Sequence, residues 1–184
     1  MNRGQLQNSL AMTVTLIMGS MLFATLFLGY AVYRSSAIMW PPLGIQKVSL
    51  FLPLLSTLII VISSWFMNQS KVNVVSGDVG KALTANNKTL ASGILFMIIQ
   101  GYFWYHLKST GIFLTTSGIF GSILYGFTWI HAFHVVFGLL ALIYLRFALK
   151  RNGPQVLQAT VNVEKFWHFL GVVWLIMFIT IFVL

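Results

Sequence analysis

The 184-residue chain contains no cysteine and only two acidic residues, Asp78 and Glu164. Without cysteine there is no disulfide, no thiolate metal site and no sulfur nucleophile, whichever side of a membrane each loop faces. Charge is scarce altogether, at 7% of residues against 58% hydrophobic, and mean hydropathy is +0.89. A soluble domain of this length needs more polar surface, so the chain reads as an integral membrane protein. Its 11 Lys and Arg give a formal net charge of +9, a balance that in a soluble protein would suggest nucleic acid. Here the basic residues lie between apolar segments, where they are a topology signal instead. Catalytic constellations are lacking too: no glycine-rich phosphate loop follows a strand, and no Ser-His-Asp or Cys-His set exists.

What the chain does have is five apolar segments, at approximately 10–33, 48–67, 90–107, 118–145 and 166–184. Each matches the roughly 20 residues that a helix needs to cross a bilayer core. No alternating strand pattern competes, so the expected fold is all-α, a single membrane domain over 1–184 built as a bundle of five transmembrane helices. "MNRGQLQNS" is short and polar and the run after it is long enough to span, so no cleavable signal is expected. Of the four connections between the spans, three are informative: "RSSAIMWPPLGIQK", with Trp40 and the helix-breaking Pro41 and Pro42; "NQSKVNVVSGDVGKALTANNK", the longest; and the basic "RFALKRNGPQVLQATVNVEK". Arg3, Lys71, Lys81, Lys88, Arg146, Lys150, Arg151 and Lys165 fall on one side of this path, against Arg34, Lys47 and Lys108 on the other. That asymmetry puts the N-terminus in the cytoplasm and the C-terminus, at Leu184, on the outer face.

Ionisable residues inside a span are functional candidates, because burying them in hydrocarbon is costly. Asp78 and Glu164 fall in the cytoplasmic connections on this reading, which leaves no buried carboxylate to carry protons or bind a cation. The histidines remain. In "TWIHAFHVVFG", His131 and His134 are three positions apart on one helix face. His134 lies roughly 18 Å from the cytoplasmic end of the fourth span, counted from Arg146, and His168 about 4.5 Å into the fifth, counted from Lys165. His106 closes the third span at the outer surface. Different levels exclude a bis-histidine haem, and a metal ion shared by His131 and His134 would lack its third and fourth ligands. Hydrogen bonding between helices is the preferred role for the pair and for Gln100 in the third span. A small-molecule transporter or channel, a less favoured reading, should show a polar path and discontinuous helices, and apart from the scattered histidines and Gln100 the spans offer no such path.

Taken in order, the segments resemble subunit III of haem-copper (cytochrome c or quinol) oxidases in its short, five-helix bacterial form. The resemblance runs through "LFATLFLGYAVYR" with "WPP", "LPLLSTLIIVISSW", the Gly77-Asp78 pair, "LFMIIQGYFWYHLKSTG" with Gln100, "IHAFHVVFG" with the paired histidines, and "EKFWHFLGVVWLIMF" with Glu164, Trp167, His168 and Trp174. It implies a subunit with no redox cofactor of its own, packed beside catalytic subunit I of a complex that reduces dioxygen to water. Haem and copper would sit in the partner subunits. Bound phospholipid, support of stability and sustained turnover, and a place in the bacterial inner membrane are further implications. The family usually has acids where this chain has Gly19, Phe103 and Gly171, and glycines where it has Trp129 and Ala132. Trp129 and Ala132 are therefore expected to crowd a helix face and alter an interface, and an accessory protein of nitric oxide reductase stays open as the alternative.

Overall fold

A computed structural model describes residues 3–38, 49–112 and 118–183. Almost all of them lie in five helices: α1 Arg3–Ser36, α2 Phe51–Val75, α3 Val79–Ser109, α4 Gly118–Arg151 and α5 Val156–Met177, with a π-helical continuation Phe178–Val183. No strand occurs among the described residues, and all five helices are long and apolar enough to cross a membrane. The expected all-α, multi-pass architecture is therefore the observed one.

The helices run further than hydropathy alone indicates, and the difference is greatest where the sequence turns polar. The connection expected over 68–88 contracts to Ser76, Gly77 and Asp78. Gly77 takes the left-handed conformation that ends α2, with φ +80°. Asp78 then caps α3 by accepting from the Lys81 backbone N–H at 3.0 Å. The Asp78 carboxyl is held below its usual range by side-chain and backbone hydrogen bonds from Lys81. Ser70 Oγ donates to Ala82 O at 3.0 Å and clamps the two helices just above the turn. The last connection contracts in the same way. Asn152, at φ 47°, and Pro154 separate α4 from an α5 that starts at Val156, ten residues before the expected 166.

Packing follows a ring: α2 meets α3 and α5, and α4 meets α3 and α5, while α1 lies outside against α5. Only 6% of the most apolar stretch of α1 is buried, compared with 28–44% for the other four, so α1 presents most of its surface outward. The centre is Trp167 on α5, fully buried. Its Nε1 donates to Ser63 Oγ on α2 at 3.1 Å. Gly93 on α3 and Gly138 on α4 give way to its ring from two sides, since a Cβ on either would come within 2.7–2.9 Å of the indole. One side chain thus joins four helices. Each of the five helices is continuous over its described length.

Candidate functional site

Polar groups inside the bundle are bonded from helix to helix in tiers. At the level of Trp167 the bond goes to Ser63, whose Oγ in turn donates to Thr89 O at 3.2 Å. Two turns further along α5, Trp174 Nε1 donates to Thr57 Oγ1 on α2 at 3.0 Å. Gln100 Nε2 donates to the adjacent Ser56 Oγ at 3.0 Å. Trp104 Nε1 donates to Thr128 Oγ1 on α4, also at 3.0 Å. Each indole or amide N–H finds a short hydroxyl, so every tier satisfies buried donors that hydrocarbon could not. The interhelical role expected for Gln100 has this geometry; Trp167 and Trp174 do the same work.

The histidine pair behaves differently from the expectation. His131 is fully buried, yet neither ring nitrogen has a hydrogen-bond partner among the described residues. Its neighbours are rings: Trp174 at 5.4 Å between centroids, Phe96 at 6.0 Å and Phe23 at 6.2 Å. His134 is half-buried and donates from Nδ1–H to Ile130 O of its own helix at 2.7 Å. Both imidazoles pack on Phe23 of α1, so the link between helices is aromatic packing where hydrogen bonding was expected. The depths also need correction. Gly138 lies against Trp167 and Leu170, and His131 against Trp174, so His134 is level with residues near 172. His168 is then about one helical turn away in depth, and the roughly 13 Å offset does not hold. Lys165 is not level with Arg146, because α5 extends back to Val156.

Glu164 is the second correction. It is not in a loop: it lies within α5, with its side chain 8% exposed. Lys71 Nζ from α2 contacts both carboxylate oxygens, at 3.0 and 3.1 Å, and His168 Nε2 stands 3.8 Å away one turn along. Glu164, His168 and Gly171 occupy positions i, i+4 and i+7 of one helix stripe. A Cβ on Gly171 would meet only Ser64 Oγ at 3.3 Å and Ile60 Cγ1 at 3.9 Å. The bundle therefore carries a buried acid on the same stripe as Gly171. Both acids of the chain are paired, Asp78 with Lys81 at 2.8 Å and Glu164 with Lys71.

Other expected positions disperse. Trp129 is 48% exposed and stacks at its edge on Tyr125 and Trp104, so it faces outward, whereas Ala132 is buried. The site of Phe103 is buried in a small cluster with Leu107, Ile112 and Leu124, where the end of α3 meets the start of α4. Gly19 approaches Phe169, with room of 3.1 Å to the ring. Arg34 donates to Tyr30 OH at 3.4 Å, and Tyr30 OH donates to Thr180 O at 2.6 Å, tying the end of α1 to the end of α5. Trp40, Pro41 and Pro42 lie outside the described residues. An apolar groove of about 520 Å³ runs between α1 and α4, where Gly29, Gly118 and Gly126 leave the walls low and Tyr30 and Tyr33 stand at one end. Sequence reasoning gave no hint of this groove or of the Gly93–Trp167–Gly138 contact. Among the described residues no three His, Cys, Asp or Glu side chains converge as a metal ligand set.

Comparison with known proteins adds a family to this geometry. The family model for cytochrome c oxidase subunit III matches residues 4–184. Cytochrome c oxidase subunit 3 of Synechocystis sp. (strain ATCC 27184 / PCC 6803 / Kazusa) is 33% identical over 172 residues, covering 92% of this chain and 72% of the relative. The probable cytochrome c oxidase subunit 3 of Mycobacterium leprae (strain TN) is 33% identical over 165 residues, 88% of this chain and 80% of its own. That of Thermostichus vulcanus is 32% identical over 178 residues, 95% and 86% respectively.

Proposed function

Because the chain belongs to the cytochrome c oxidase subunit III family, we propose that it is the non-catalytic, cofactor-free subunit of a respiratory oxidase, seated beside the catalytic subunit I in a bacterial inner membrane. Electron transfer to dioxygen and the haem and copper that carry it belong to the partner subunits. This chain contributes packing surface, bound lipid and durability of the assembly during turnover. One observation carries the reading: four interior indole and amide N–H groups, those of Trp167, Trp174, Gln100 and Trp104, hold helices together, tier by tier, with hydroxyls as acceptors. That is the chemistry of a scaffold. A redox protein would converge imidazoles or carboxylates on a metal or haem.

The α1/α4 groove is where a phospholipid acyl chain fits, since its walls are apolar and a lipid tail asks for no hydrogen bonds. The N-terminus is taken as cytoplasmic, in keeping with the basic residues clustered at the α2/α3 and α4/α5 turns. Purification of the tagged chain from its own membranes tests the whole reading. The expected result is a haem-bearing complex that contains a catalytic haem-copper subunit. A chain that migrates alone refutes it, and a haem partner active only on nitric oxide moves it to the reductase alternative.

A further inference from the structure

Among the described residues, the bundle interior leaves three polar atoms of Gln100 and His131 without a partner: Gln100 Oε1 and both ring nitrogens of His131. The two side chains are 2% and 0% exposed, so water outside the bundle does not serve them. They are also at one level. Helices α3 and α4 run antiparallel and are pinned by the Trp104–Thr128 bond and by the approach of Leu139 to Gly93, which sets Gln100 opposite residues 131 and 132. The other two helices of the ring reach the same level, because Gln100 bonds Ser56 while the neighbouring Thr57 holds Trp174, whose ring lies 5.4 Å from His131.

Donor accounting at this level is restrictive. The Ser56 hydroxyl donates to Leu52 O, Thr57 to Pro53 O and Thr128 to Leu124 O. Trp174 and Trp104 have spent their single N–H groups on Thr57 and Thr128. With the Gln100 amide as placed, Nε2 faces Ser56, whose own proton goes to Leu52 O, so Oε1 is the atom left over. The side-chain donor that remains at this level is the imidazole N–H of His131. An unpaired carbonyl oxygen and an unpaired imidazole, both buried, cost more than almost any other arrangement of the same groups.

We propose that a single internal water bridges His131 and Gln100, accepting from the imidazole N–H and donating to Gln100 Oε1. Two polar partners meet the minimum for a resident water, and apolar rings on the remaining sides would hold it in place. The bridge extends the Ser56–Gln100 bond across to α4 and closes a polar layer through α2, α3 and α4 beside Trp174. It also gives His131 a role that aromatic packing alone does not supply, because phenylalanine could pack on Phe23, Phe96 and Trp174.

The test uses the complete oxidase complex. A map of the complex at a resolution that shows ordered water should place one density peak within hydrogen-bond distance of Gln100 Oε1 and a His131 ring nitrogen. A dry gap, or a direct His131–Gln100 bond, overturns the proposal. A thermal-melting cycle on the same complex with His131→Leu, Gln100→Leu and the double variant gives a second readout. The double variant should melt no lower than the worse single variant, because either loss already breaks the bridge. Melting losses that simply add overturn the proposal. If a single variant fails to assemble, the map of the parent complex decides alone.

Discussion

Gly138→Ala is the substitution whose consequence can be worked out furthest. The added Cβ would stand 2.8 Å from Leu170 Cδ1 and 2.9 and 3.0 Å from Trp167 Cζ3 and Cε3. Comfortable carbon contacts are about 3.5–4.0 Å, so something must move by several tenths of an ångström. Trp167 is poorly placed to do so. Its Nε1 is bonded to Ser63, and Gly93 already admits the opposite part of the ring so closely that a Cβ there would come within 2.7 Å of Cη2. Overpacking of this kind costs about 1–3 kcal/mol. Alanine's better helix propensity returns up to about 1 kcal/mol, which leaves a net loss of roughly 1–2 kcal/mol. At about 2–4 °C per kcal/mol for a chain of this size, the melting temperature of the purified complex should fall by several degrees. Gly101→Ala and Gly126→Ala are the controls, since a Cβ at either meets nothing within 4 Å, and both should melt at or above the parent. Trp167→Leu introduced together with Gly138→Ala should recover part of the loss relative to Trp167→Leu alone, because the cavity left by the indole accepts the new methyl group. Equal melting of Gly138→Ala and Gly101→Ala would show that Trp167 is not the constraint described.

The Lys71–Glu164 pair predicts an asymmetry. Lys71→Met strands a carboxylate that is 8% exposed, whereas Glu164→Gln strands an ammonium that is 38% exposed and can turn to solvent. The first should cost more, about 1–3 kcal/mol, and the double variant less than Lys71→Met alone, read as melting temperatures. Gly171→Asp should assemble with a melting temperature near the parent's, since its Cβ meets Ser64 Oγ and little else; failure to assemble would show that the stripe has no room for a second acid. The Asp78 cap has a pH signature. Its carboxyl is held low in the folded state by Lys81, so its contribution is complete above the ordinary carboxylate pKa and fades as pH falls through the lowered value, below about pH 4. Protection of the amides of residues 79–82, taken as exchange relative to the intrinsic rate at each pH, should fall in that acid window and be insensitive to pH there in Asp78→Asn.

Hydropathy made the five spans legible because it measures what each helix must be to live in lipid. It fails where the helix leaves the apolar zone. Residues 79–89 look like a loop by composition, yet Asp78 caps them and Ser70 ties them to α2. Glu164 looked like a loop residue for the same reason, and the lysine that makes its burial tolerable is 93 positions away in the chain. The depth argument for the histidines failed through a wrong reference level, which only the pairing of Gly138 with Trp167 could reveal. Gln100, a lone amide in an apolar run, has few alternatives to bonding a neighbouring helix, and it bonds Ser56. Trp129 is 48% exposed, and nothing in the sequence shows which face of α4 points outward.

The central claim is that this chain preserves an oxidase whose chemistry resides elsewhere. The measurement that bears on it most directly is the oxygen-consumption trace of the complex isolated from cells with and without this subunit, normalised to haem. Equal initial turnover per haem, followed by earlier loss of activity in the complex that lacks the chain, is the predicted result. Abolished initial turnover at normal haem content would contradict it, because it would place a reacting group within these five helices.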